Sequence, residues 1–86
     1  MNKRFKDLKA LLTTESLKLR DNCVCDVKSG QRYGLGEFKE DFVACRKASK
    51  DKKDAAIKAF CAKAFIDVYV DEDGNRFPYI APGEDI

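Results

Sequence analysis

The residues best equipped for chemistry in this 86-residue chain are its four cysteines, Cys23, Cys25, Cys45 and Cys61. Thiolates bind soft metals, attack electrophiles and pair as disulfides. An even number in a short chain invites a zinc or disulfide reading. Structural zinc sites bring their ligands as two close Cys pairs, because each knuckle loop points two thiolates inward. Only Cys23 and Cys25 are close here, and Cys-x-Cys on a strand makes a poor knuckle. Cys45 and Cys61 fall on the apolar stripes of two expected helices. The first reading is therefore free thiols acting as small hydrophobes. Zinc, disulfides and a redox-sensing pair stand as alternatives, and no metal or cofactor is expected. A nucleophilic cysteine would also lack its usual base, since the chain has no histidine.

Carboxylates offer the next chemistry. Asp71-x-Asp73-Gly74-Asn75 resembles the opening of a calcium loop, which takes oxygen ligands at alternate positions. The likeness stops there. Arg76 stands where the sharp turn needs glycine, and Pro82 stands where a bidentate glutamate is needed. A hairpin turn is the expectation. Glu37, Glu40 and Asp41 fall on the polar side of an expected helix and read as solvated surface. Gly30, Gly34 and Gly36 match no phosphate-binding fingerprint. With histidine and tryptophan both absent, no catalytic residue is assigned and a non-enzyme is expected.

What must position these residues is one small domain spanning residues 1–86. A chain of this size buries about 63% of its unfolded surface, enough for one modest core. Hydrophobic residues make up 44% and charged residues 37%, unlike a disordered chain. Met1, Phe5, Leu8, Leu12 and Leu19 recur at helical spacing, with Leu11 widening the stripe. This predicts a first helix from about Asn2, favoured to run to about Arg20. A break at Thr13-Thr14, followed by a strand over Ser16–Arg20, is the alternative. Cys23, Cys25 and Val27 then alternate on one face of a strand. Lys28–Gln31 is a turn, and Arg32–Leu35 returns as a second strand or remains a loop.

Helical periodicity resumes with Phe38, Phe42, Cys45 and Ala48. The polar run from Ser49 to Asp54 interrupts it, with Asp51 as a capping candidate. A second apolar face follows through Ala55, Ile57, Phe60, Cys61 and Phe65; one bent helix over 37–65 is the alternative. At Ile66 the period switches to two, Asp71–Asn75 turns, and Arg76–Ile80 returns. Pro78 lacks a donor, so this last strand is expected at a sheet edge. Residues 81–86 read as a flexible acidic tail. The whole predicts an α+β fold: about three helices on one face of a small antiparallel sheet built from one or two hairpins.

Charge supplies the rest. The net charge of +2 divides into +4 over residues 1–20, −2 over 21–45, +5 over 46–63 and −5 over 64–86. Such a two-signed surface selects partners and speeds encounter. The expected function is binding of another protein or protein complex. Its candidate residues are the basic patch Arg46, Lys47, Lys50, Lys52, Lys53 and Lys58, and the edge-strand aromatics Phe77 and Tyr79. Nucleic-acid binding through the basic helices is one alternative, although neither basic segment interleaves aromatics for stacking. A structural or assembly subunit, using the alanine-rich face of residues 55–64, is another. A compact Lys/Asp-rich chain of this kind fits small bacterial or phage accessory proteins that inhibit a larger complex. With no apolar run long enough to span a bilayer and no signal-peptide pattern, no membrane association and a cytoplasmic location are expected.

Overall fold

Thr13 and Thr14 end the first helix rather than continue it. In the computed structural model, which describes residues 3–83, helix α1 covers Lys3–Thr13. The Thr13 hydroxyl donates back to the Lys9 carbonyl and the Thr14 hydroxyl to the Ala10 carbonyl. These hydroxyls compete with helix continuation, as short polar side chains do. The chain then enters strand β1, Leu17–Arg20. The favoured long first helix is thus corrected, and the break with a following strand is what forms. Met1, in the first stripe, and residues 84–86, in the expected tail, lie outside the described residues.

Strand β2 is Cys23–Asp26 and strand β3 is Arg32–Gly34. Asp21, at φ +50°, turns β1 tightly into β2, and Gly30, at φ +74°, serves the turn into β3. A short 3-10 turn over Gly36–Phe38 leads into helix α2, Lys39–Lys47. Helix α3 runs over Lys50–Lys63. Two helices, not one bent helix, therefore fill this region. Ser49 occupies the N-cap position of α3, without a side-chain capping bond, and Asp51 lies in its first turn. Strand β4, Ala64–Val70, follows α3 directly, and strand β5 is Arg76–Pro82.

The five strands form one sheet in the order β1-β2-β3-β5-β4. All neighbours are antiparallel except β3 and β5, which run parallel through the Gly34–Tyr79 bridge. The sheet is therefore mixed, not purely antiparallel. The edges are β1 and β4, and β5 is interior, which corrects the expected edge position of Pro78. Hydrogen-bond phase shows why the proline is tolerated. Gly83 N–H donates to Lys63 and Asp71 N–H to Asn75, so the paired positions of the hairpin are the odd-numbered residues. Pro78 faces Val68 at a non-bonded position. Its nitrogen points toward β3, where pairing is limited to one bridge, so no bond to β4 is lost.

The core joins Leu8, Leu11 and Leu12 of α1 to Phe42, Cys45, Ile57, Phe60 and Cys61 of α2 and α3, with Val24, Leu35 and Ile80. Phe60 meets Phe38 and Phe42 edge-on, at centroid distances of 6.1 and 6.3 Å. Ile80 and Ala81 are both buried, and Pro82 pairs with Ala64. Positions 81 and 82 thus belong to β5 and not to a tail.

Candidate functional site

The register sorts the sheet into two faces, because cross-strand partners project to the same side. Leu19, Val24, Tyr33, Pro78 and Ile80 belong to the helix-covered face through the pairs Leu19–Val24, Val24–Tyr33 and Ile66–Ile80. The opposite face takes Lys18 and Arg20 of β1, Cys23 and Cys25 of β2, Arg32 of β3, Tyr79 and Phe77 of β5, and Asp67 and Tyr69 of β4. Helical segments do not cover this face where Tyr69 and Phe77 lie: Tyr69 is 54% exposed and Phe77 40%.

Tyr69 stands directly across from Phe77 and meets Tyr79 edge-on at 6.2 Å. Gly34 leaves the neighbouring floor low, and a Cβ there would come to 3.4 Å from Tyr79 Cβ. The result is an apolar depression of about 350 Å³ lined by Cys23, Arg32, Gly34, Tyr69, Phe77, Pro78 and Tyr79. The expected aromatics Phe77 and Tyr79 are thus together, though on an interior strand. Tyr69, paired with Phe77 across the hairpin, completes the cluster. Its signal was the Tyr69–Phe77 pairing implied by a tight hairpin.

The turn closing this hairpin is held by its own donors. Asp71 Oδ1 accepts from the N–H groups of Asp73, at 3.0 Å, and Asn75, at 2.8 Å. Its other oxygen accepts from the Asn75 amide. Gly74 adopts φ +84°, as a tight turn requires. The carboxylates of Asp71, Glu72 and Asp73 therefore lie at the turn end of the aromatic cluster, while Arg32 of β3 lines it on the other side. Lys18 and Arg20 lie on β1, beyond β2 and β3.

Two members of the basic patch of residues 46–58, Arg46 and Lys53, turn to backbone carbonyls at helix ends. Arg46 donates to the Leu12 and Thr14 carbonyls at 2.9 and 3.0 Å. Lys53 donates to the Arg46 carbonyl at 3.2 Å. Both are half-buried and close helix ends, a favourable place for cations. Lys47, Lys50, Lys52 and Lys58 remain exposed, Lys47 on α2 and the others around α3. In the first helix, Lys9 pairs with Asp54 at 3.1 Å. Arg4 donates to the Cys61 carbonyl and lies 5.0 Å over the Phe65 ring. On the alanine-rich segment, Ala55, Ala59 and Ala62 are exposed, while Ala56 is packed against the core and Ala64 is buried within it.

All four cysteines are free thiols. Cys45 and Cys61 are buried, and burial pushes both thiols up from their ordinary value. Cys23 and Cys25 are half-buried on the open face. Among the described residues, no group of three or more His, Cys, Asp or Glu side chains converges as a metal site. Among the same residues, no helix is long and apolar enough to cross a membrane. Comparison with protein-family models, curated proteins and solved structures finds no match to the chain.

Proposed function

We propose that this chain is a non-enzymatic protein-binding module that docks its partner on the open sheet face, over Tyr69, Phe77 and Tyr79. The observation that carries the reading is the apolar depression formed by these aromatics, with exposed side chains at its centre. Protein interfaces concentrate binding energy in such central aromatic anchors and surround them with a polar rim. Here the rim is two-signed. Arg32 stands on one side, and the Asp71–Asp73 turn closes the hairpin on the other. A partner with the opposite charge order is oriented by this arrangement before the apolar contact forms. An inhibitor of a larger complex needs no more than such a face. The missing histidine supports a role without catalysis.

A second reading has one observation in its favour. Aromatics beside arginine on an open sheet make a stacking platform for single-stranded nucleic acid. Asp67 on the same face and the acidic turn oppose a polyanion, which places protein first.

A photo-crosslinking residue at position 69 tests the reading. A specific protein adduct, absent when the crosslinker is moved to exposed Lys52 and weakened by Phe77→Ala, supports it. Nucleic-acid adducts from position 69, or protein adducts indifferent to Phe77, overturn it.

A further inference from the structure

The two sheet edges differ in part: among the described residues, β4 closes two of its outward N–H groups, those of Ala64 and Val68, and leaves those of Ile66 and Val70 open. On β4, the even-numbered residues direct their N–H groups outward, since the odd ones bond to β5. The Ala64 N–H is taken by the Phe60 carbonyl at the end of α3. The Val68 N–H is taken by the Asp67 carboxylate at 2.8 Å. A side chain folded onto an outward donor blunts an edge against strand addition.

No such closure is found on β1 among the described residues. Val27 N–H donates to the Ser16 carbonyl, so Ser16, Lys18 and Arg20 bond toward β2. Leu17 and Leu19 therefore direct their N–H and C=O groups to the open edge. Their side chains point to the helix face, into an apolar groove of about 320 Å³ lined by Leu17, Leu19, Val24, Phe42 and Val43. Arg46 and Lys47 complete its wall, and no carboxylate lines it. On the other face of the same strand, Lys18 and Arg20 are exposed.

We infer that the β1 edge is a second docking site, which accepts an extended acidic segment of a partner protein as an added strand. Backbone pairing to Leu17 and Leu19 supplies affinity, and the pockets for alternate side chains supply selection. Apolar residues of the segment enter the groove. The intervening acidic residues lie beside Lys18 and Arg20, with Arg46 and Lys47 attracting its flanks. The site is independent of the aromatic face, which lies toward the opposite end of the sheet.

The probe is a synthetic nonapeptide of alternating valine and glutamate, titrated into the intact protein and followed by amide NMR and hydrogen exchange. The inference predicts saturable binding, with exchange at Leu17 and Leu19 slowed. Leu19→Pro removes an outward donor without removing a bond to β2, and weakens binding about tenfold or more. Arg20→Glu does the same through charge and carries the comparison if Leu19→Pro does not fold. A peptide with lysine in place of glutamate does not bind. Absent binding, equal binding of the lysine peptide, or affinity unchanged in both variants overturns the inference. Peptide shifts centred on Tyr69 and Phe77 overturn it too, while leaving the aromatic face in place as a binding surface. Self-association that protects Leu17 and Leu19 without peptide assigns the edge to a second copy of this chain and overturns the acidic segment.

Discussion

The Arg46 guanidinium donates to the Leu12 carbonyl at 2.9 Å, across 34 positions of sequence. It reaches the Thr14 carbonyl as well, at 3.0 Å. One cation on α2 thereby closes the C-terminal end of α1 and fixes the chain's departure into β1. Hydrogen bonds from a charged donor are worth about 1.5–3 kcal/mol each way they are removed, so Arg46→Ala is expected to lower stability by about 2 kcal/mol. Denaturant unfolding checks this. The exposed Lys52→Ala is the comparison and is expected to change stability by less than about 0.5 kcal/mol.

Asp26 is stabilised in its charged form. The Ser16 hydroxyl donates to its Oδ1 at 2.6 Å, and the Lys28 N–H donates to the same oxygen. Ser16 is the larger cause of a carboxyl held below its ordinary value near 3.8. A folded-state value below the unfolded one adds stability that is present above the unfolded value and lost as pH falls through the folded one. The stability gap between the native chain and Asp26→Asn should therefore shrink as pH falls from about 5 to about 2. Urea titrations across that range measure it.

Asp67 guards the β4 edge by occupying the Val68 N–H. Val68 and Val70, 56% and 52% exposed, lie on that same edge strand. Asp67→Ala frees the donor beside apolar side chains, and exposed edges of this kind pair with other chains. Sedimentation velocity should show more self-association for Asp67→Ala than for the native chain at equal concentration. An unchanged distribution would assign the carboxylate no guarding role.

The thiols should separate by burial. Cys45 and Cys61 are buried with their thiols pushed up, so little reactive thiolate forms there. Cys23 and Cys25 are half-buried on the open face. Reaction with a chromogenic disulfide at mildly alkaline pH should be biphasic, with Cys45 and Cys61 slow. Mild denaturant should merge the two phases.

Local patterning made much of this fold legible. The switch to period two at the end of α3, the break at Ser49 and the Asp71–Asn75 turn each arise from adjacent residues. The end of α1 does so only in part: the Thr13 and Thr14 hydroxyls bond back locally, but Arg46 comes from a distant helix to satisfy its carbonyls. Leu19 sits at helical spacing from Leu12 and still forms a strand, since seven positions fit a helical stripe whatever happens between them. Pro78 misled for a related reason. A missing donor forbids only the positions that must donate, and that phase depends on register. Clustering of Arg46 and Lys53 in sequence likewise says nothing about direction, and both turn inward to helix ends. The candidate site was half legible: Phe77 and Tyr79 stood out by type. Arg32 joins them only through the β3-β5 pairing.

The most direct test of the aromatic face is affinity for the crosslinked partner, measured with purified proteins. Tyr69→Ala and Phe77→Ala remove side chains that are 54% and 40% exposed, so the fold should survive both. Each is expected to weaken binding about tenfold or more, as central aromatic anchors do. Lys52→Glu, away from the sheet, should leave affinity unchanged. Full affinity in both aromatic variants, or a loss confined to Lys52→Glu, would contradict docking on the open sheet face.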